Sequence, residues 1–349
     1  MQALYKFVFI LCTCEIFLQS CSPVVVPYKE SFMKETIEKN KIIFSDGMTS
    51  TLREWPSPNP QAIILALHGF NDYSYAFELP GQYWQKHNIT VYSFDQRGFG
   101  ETPNRGLWAN QKRMIQDVVE ITNLIKQKHS DLPVYLLGES MGGALASLVA
   151  SSDYNQQFTG FILISPAFWS NKDFNIFENA AFWIATHTVP WYAATGEGFE
   201  VHPSDNIEML IEFSQDDLVI KETRLDAVHG LVTLMDQAFN TIPKMKGKIL
   251  VLYGEEEDIL PSKTVKKNIK RLAKYQSKSS PSIMTMGLYP KGYHMLLRDM
   301  GGNSVANDVQ AWIFNQHLAH LPSKADQEII AKYPLIERYS VPPNSAEIK

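Results

Sequence analysis

The sequence Gly138-Glu139-Ser140-Met141-Gly142 places a serine between two glycines. The apolar run Val134–Leu137 precedes it and the small-residue segment Gly142–Ala150 follows. A strand, a sharp turn and a helix are therefore expected in that order, as a nucleophile elbow requires. Such a turn strains the serine backbone, so its neighbours must lack bulk. It lifts the Ser140 hydroxyl out of the sheet and sets it at a helix N-terminus, where free N–H groups stabilise developing negative charge. The chemistry implied is attack of Ser140 on a carbonyl. A serine hydroxyl is a weak nucleophile near neutral pH, so it needs a base, and the base needs an acid to orient it.

The elements that must position these groups can be read next. Short apolar runs at Ala62–Leu67, Thr90–Asp95, Val134–Leu137, Phe161–Ile164, Lys248–Tyr253 and Ile283–Tyr289 read as strands buried on both faces. Met114, Ile115, Val118, Val119, Thr122 and Ile125 recur at helical spacing, as do Val305, Val309, Trp312 and Ile313. Strands alternating with helices predict an α/β protein with a mostly parallel central sheet flanked by helices. Ile42–Phe44 and Thr51-Leu52 flank Asp46-Gly47, which reads as a hairpin.

In a fold built on such an elbow the chain order is serine, acid, histidine. Of nine histidines, His294, His317 and His320 come late enough. His317 and His320 lie on or beyond the terminal helix and are expected to face solvent. His294, in Gly292-Tyr293-His294-Met295, lies just past the last strand and is the expected base. The acid must come from Gly254-Glu255-Glu256-Glu257-Asp258-Ile259-Leu260-Pro261, where Glu257 and Asp258 are the candidates. The loop Leu67-His68-Gly69-Phe70 follows the first buried strand, so the N–H groups of Phe70 and Met141 are the expected oxyanion donors. His68 is read as a structural residue tying loops together.

Phe168–Asn240 interrupts the alternation. Nine aromatics fall within the 32 residues Phe168–Phe199. The segment reads as a helical lid with an apolar inner face, since ligand pockets are mostly apolar and aromatic-lined. The expected organisation is a leader at 1–20, a linker at 21–40, a core from 41–167 and 241–320, a cap at 168–240 and an irregular tail at 321–349. Met1–Ser20 has the layout of a secretory signal peptide, and Leu18-Gln19-Ser20-Cys21 looks like a bacterial lipobox. Export to the cell envelope, with a lipid on Cys21 anchoring the chain to a membrane surface, is the expectation; secretion as a soluble protein is the alternative. All three cysteines, Cys12, Cys14 and Cys21, lie in this region, so the remainder offers no disulfide, thiolate zinc site or cysteine nucleophile. With 32 Lys and Arg against 37 Asp and Glu, the net charge of −5 provides no basic field for nucleic acid.

Four blocks carry a resemblance to a known family. They are Leu67-His68-Gly69-Phe70-Asn71-Asp72, Asp95-Gln96-Arg97-Gly98-Phe99-Gly100, Leu137-Gly138-Glu139-Ser140-Met141-Gly142-Gly143 and Tyr289-Pro290-Lys291-Gly292-Tyr293-His294-Met295. Over roughly Ile42–Leu318 the chain resembles the α/β-hydrolases, within them the monoacylglycerol lipase and lysophospholipase group, also classed with serine aminopeptidases. The family usually has histidine where this chain has Glu139. Its acid stands three residues after the strand-ending glycine and four before a proline, usually as Asp; that position is Glu257, with Asp258 one residue late. The resemblance therefore implies a Ser140, His294 and Glu257 triad, with Asp258 as the alternative acid. It implies that Asp95 and Arg97 order the loops around the site. It further implies ester hydrolysis of a single-chain lipid without metal or cofactor. The same triad could serve an acyltransferase or an aminopeptidase, and a non-catalytic binding protein is the remaining rival. A dehalogenase or epoxide hydrolase would need Asp in place of Ser140.

Overall fold

The computed structural model describes residues 22–196, 198, 200–275, 282–315 and 318–334. The expected leader Met1–Ser20, Cys21, His317 and residues 335–349 lie outside the described residues. In chain order the main strands are β1 (Thr36–Glu38), β2 (Lys41–Ile43), β3 (Thr49–Trp55), β4 (Ala62–Leu67) and β5 (Ile89–Phe94). They continue as β6 (Val134–Glu139), β7 (Gly160–Ile164), β8 (Gly247–Gly254) and β9 (Ser282–Tyr289). The helices are α1 (Glu78–Gln85), α2 (Gln111–Lys128), α3 (Met141–Ser151), α4 (Ile176–Thr188), α5 (Ile207–Gln215), α6 (Leu225–Thr241), α7 (Ser262–Tyr275), α8 (Gly302–Phe314) and α9 (Ala325–Lys332).

The nine strands form one sheet in the order β9-β8-β7-β6-β4-β5-β3-β2-β1. From β4 to β9 every neighbouring pair is parallel, while β1, β2 and β3 are added antiparallel at one edge. Strand side chains alternate between faces, so parity sorts the core. Ile63, Leu65, Leu67, Leu136, Leu163 and Val251 pack with Val118 of α2, Leu145 of α3, Leu234 of α6 and Ile269 of α7. Ile64, Ala66, Leu137, Ile162, Ile164 and Leu252 pack with Trp84 of α1 and with Val309 and Trp312 of α8. Helices on both faces explain why the strands read as continuous apolar runs. α2 starts where the Asn110 side chain accepts from Lys112 N, and Lys126 and Lys128 in its last turn complement the negative end of the helix dipole. The hairpin turn uses Gly47 at φ +81°, and β2 pairs with β3 from Ile43 opposite Thr49.

Three expected boundaries are corrected. The stretch expected as a linker at 21–40 carries paired strands: Thr36–Glu38 joins the sheet, with Ile37 opposite Ile42, and Val25–Val26 pairs with Trp108–Ala109. The tail from 321 is not irregular within the described residues: Leu321, Ala325 and Ile329 are buried, and α9 packs on β9. The cap does not fill 168–240, because Phe168 and the Leu234, Met235, Ala238 and Phe239 side of α6 belong to the main core. The inward apolar face expected of the cap is also only part of the picture. Ile176 is 78% exposed, Phe177 83% and Trp183 54%, so α4 turns large apolar side chains outward. It is fixed by a capping box between Asn175 and Glu178, and ring contacts of Phe182 and His187 join it to His229 of α6.

If α9 is part of the core, Ile329→Ala should lower the free energy of unfolding by about 2–5 kcal/mol. Urea unfolding of the variant would check this; an unchanged midpoint would return the segment to the status of a tail.

Candidate active site

Ser140 stands between β6 and α3 with φ 53° and ψ −114°. This left-handed backbone is strained for a non-glycine residue and needs support on all sides. Ser140 N–H donates to Ile164 O of β7, while Ser140 O accepts from Ala144 N and Ala167 N, each at 3.0 Å. Gly142 lets α3 start close to the end of β4: a Cβ there would collide with the carbonyls of Leu67 and His68. A Cβ on Gly69 would stand 3.5 Å from Ser140 Cβ, so the Gly69-Phe70 loop lies directly against Ser140. Met141 is the first residue of α3, and first-turn N–H groups have no partner within a helix. Phe70 is held by edge contact with Phe99 and a tilted contact with Trp108.

The loops that carry Glu257 and His294 are zipped together beyond the sheet. Glu255 N–H donates to Tyr289 O and Glu256 N–H to Gly292 O, both at 2.9 Å. Glu257 Oε2 is 2.6 Å from His294 Nδ1, and both residues are buried. Its other oxygen accepts from Ile259 N and Leu260 N at 2.9 Å. A carboxylate that accepts from Nδ1 fixes the proton there and leaves Nε2 as the free acceptor. Asp258, the alternative acid, turns the other way: its Oδ2 accepts from His202 N at 2.7 Å. Burial disfavours protonated His294, but Glu257, aided by Glu139, outweighs it and holds the imidazole above its ordinary 6.5.

His68 is wholly buried. Its Nε2 accepts from Gln96 N at 2.9 Å and its Nδ1 faces Gly69 O at 2.8 Å. The proton therefore sits on Nδ1, and burial depresses the pKa of the ring. Asp95 accepts from Ser74 and from Glu101 N at 2.9 Å. Arg97 pairs with Asp46 at 2.8 Å and with Asp117 at 2.5 Å. These residues fix the loops beside the site. His320 is exposed and pairs with Asp326.

Sequence reasoning missed a second layer. The cap segment 202–206 is stapled to the base loop. Met295 N–H donates to Pro203 O at 2.8 Å, Ser204 Oγ to Asp299 Oδ1 at 2.7 Å, and Met300 N–H to Asp205 Oδ1 at 2.8 Å. Burial pushes the Asp299 carboxyl up to about 6. Arg298 pairs with both Asp72 and Glu139. A cavity of about 310 Å³ opens between α5 and the turn Ser74–Phe77, and its lining includes Asp72, Tyr73, Met209, Phe213 and Arg298. Asp72 was visible in the sequence only as part of the His68 block, and Arg298 had no signal of its own.

A sheet of this order, with a strained serine after β6 and a carboxylate–histidine pair after β8 and β9, defines an α/β-hydrolase of the serine type. Residues 58–301 match the serine aminopeptidase S33 family, and the chain belongs to that family. It is similar to monoglyceride lipase of Homo sapiens, 25% identical over 279 residues that cover 78% of this chain and 89% of the relative. It is also similar to monoacylglycerol lipase of Mycolicibacterium smegmatis, 20% identical over 270 residues, 74% of this chain and 90% of the relative. Among solved structures, a soluble variant of monoglyceride lipase from Saccharomyces cerevisiae in complex with a substrate analog superimposes with a TM-score of 0.62 at 18% identity. That match covers 84% of this chain and 98% of the other.

Two outcomes are expected from the acid loop. Glu257→Gln should lower kcat by on the order of 10⁴-fold, as loss of a triad acid does, while Asp258→Asn should leave turnover near wild type. The reverse pattern would move the acid to Asp258. Because the base must be neutral to act, kcat/KM should fall as pH drops through the raised His294 pKa, with the midpoint above 6.5.

Proposed function

We propose that this protein hydrolyses carboxylic esters of single-chain lipids through an acyl-enzyme, with monoacylglycerol as the leading substrate and lysophospholipid as the next. Ser140 attacks the ester carbonyl while His294 Nε2 takes its proton. Glu257 holds the tautomer and stabilises the imidazolium. The oxyanion is received by the N–H groups of Phe70 and Met141. His294 then protonates the leaving alcohol. It next takes a proton from water, which attacks the acyl-enzyme, releases the fatty acid and restores Ser140.

The observation that supports this reading best is the buried 2.6 Å contact of His294 with Glu257, beyond the carboxyl ends of the parallel strands where the strained Ser140 also lies. The lipid class is supported by two further points. Monoglyceride and monoacylglycerol lipases are relatives over most of their length. The outward apolar face of α4 suits a substrate that resides in a lipid surface. Export and lipidation of Cys21 are part of the proposal and are supported by the leader pattern.

A fluorophosphonate probe should label wild type and not Ser140→Ala, and wild type should release fatty acid from monoacylglycerol. Labelled protein that cleaves an aminoacyl amide but no lipid ester would transfer the function to a peptidase. New ester formed on adding glycerol, in place of free acid, would make it an acyltransferase. A Cys21→Ala protein should lose labelled fatty acid and membrane partition; retention of both would remove the anchor. Phe177→Ser together with Ile176→Ser should slow hydrolysis of monoacylglycerol in vesicles while leaving a soluble short-chain ester unaffected. Equal rates on vesicles would exclude α4 from the lipid encounter.

A further inference from the structure

Arg298 lies four residues past His294 on the same loop and is 6% exposed. Its Nη2 stands 2.8 Å from Asp72 Oδ2 and 3.0 Å from Glu139 Oε1. These carboxylates are 3% and 2% exposed. Asp72 belongs to the loop that carries Phe70, and Glu139 immediately precedes Ser140. One buried guanidinium thus meets the three loops that hold the oxyanion donor, the nucleophile and the base. Its own position is fixed from the cap, where Asn206 Nδ2 donates to Arg298 O at 3.0 Å and the Phe213 ring lies 5.7 Å from the guanidinium carbon.

We propose that Arg298 is a positioning residue that clamps the Phe70 loop, the Ser140 elbow and the His294 loop together through Asp72 and Glu139. The Glu139–Arg298 pair balances the charge felt by His294. The proposal rests on the assignment of Ser140 and His294 given above.

The charges explain why the two residues belong together. A carboxylate next to the nucleophile favours the imidazolium that forms during attack but opposes the negative charge growing on the substrate oxygen. A fixed cation on that carboxylate offsets the second effect. Both contacts come from the single nitrogen Nη2, so what arginine supplies is a cation that keeps its charge when buried, whereas a buried lysine readily loses its proton. The charged groups around His294 are Glu257 from the loop after β8, Glu139 from the elbow and Arg298 from its own loop. Asp72 faces Arg298 from the oxyanion loop, and Asp299 faces Ser204 and the Tyr293 N–H. Glu139 pushes protonation of His294 up and Arg298 pushes it down.

The two signs give the test. Full-length wild type, Glu139→Gln, Arg298→Met, Arg298→Lys and the Glu139→Gln/Arg298→Met double variant would be assayed with a soluble p-nitrophenyl ester across pH. The acid limb of kcat/KM should move to lower pH in Glu139→Gln and to higher pH in Arg298→Met. Arg298→Met should also lose about a hundredfold in kcat with a smaller change in KM, the scale of a misplaced reacting group. Arg298→Lys should keep the limb near its wild-type position while recovering only part of kcat. In the double variant the limb should depart from the sum of the two single shifts, a coupling that independent sites would not show. Limbs that stay in place, or move together, with changes confined to thermal stability would overturn the proposal. Should Arg298→Met fail to fold, Glu139→Gln and Arg298→Lys decide alone, and an unmoved limb in Glu139→Gln overturns it. Failure of the underlying reading is distinct: Ser140→Ala or His294→Ala would then retain wild-type turnover.

Discussion

A serine held at φ 53° and ψ −114° stores on the order of 1–3 kcal/mol of backbone strain, and the surrounding fold is what keeps it there. Hydrogen bonds from β7 and the segment after it grip Ser140 on one side, and the first turn of α3 grips it on the other. The first grip depends on the parallel order β4-β6-β7, which brings the Ile164 carbonyl and the Leu67–Gly69 loop to flank the same turn. The close approach at Gly142 is part of the same demand. A larger residue there would push α3 away from the Leu67 and His68 carbonyls and remove the helix terminus from the oxyanion. Sheet order, glycine placement and nucleophile exposure are thus one geometric requirement.

The acid shows how a side chain is selected when several of the same kind compete. Glu257 has its two oxygens fully committed, one to His294 and one to two amide N–H groups. That turn holds the carboxylate as an acceptor and keeps it from swinging to solvent. Asp258, one residue later, leaves the base and joins the acid loop to the cap through His202 N. The adjacent carboxylates therefore do different work because their backbones point them to different elements. Buried charge elsewhere follows the same logic of full pairing, as with Arg97 between Asp46 and Asp117. Removing one partner from such a group leaves an uncompensated charge, which costs far more than the intact pair contributes.

The parts legible in the sequence are those with a period or a steric signature. Strands buried on both faces announce themselves as apolar runs, and the elbow as small residues around a serine. His294 followed from chain order once the last strand was placed. The acid loop was ambiguous because four successive carboxylates carry no pattern that says which one turns inward. Thr36–Glu38 was missed because a three-residue edge strand is too short to show alternation, and α9 because its eight residues hold few large apolar side chains among charged ones. Arg298 was invisible for a different reason. Its role depends on two carboxylates more than a hundred residues away, and no local spacing encodes such a junction.

The cap poses the sharpest conflict between local and global rules. An aromatic-rich segment should bury its rings, yet α4 leaves Ile176, Phe177, Trp183 and Ile184 exposed. Burial therefore cannot be what keeps this helix in place. The Asn175–Glu178 capping box fixes its first turn, and stacking of Phe182 on His229 ties its inner side to α6. That leaves the outer side free to stay apolar without unfolding the segment. Water alone gives no gain for such a surface, since each exposed apolar side chain forgoes about 1.5–3 kcal/mol of burial. A lipid phase would supply that gain. The same cap segment continues into 202–206, which is hydrogen-bonded to the base loop. The exposed apolar side of α4 and the polar strap at 202–206 thus lie close in the chain, which gives that helix a short covalent route to the groups around His294.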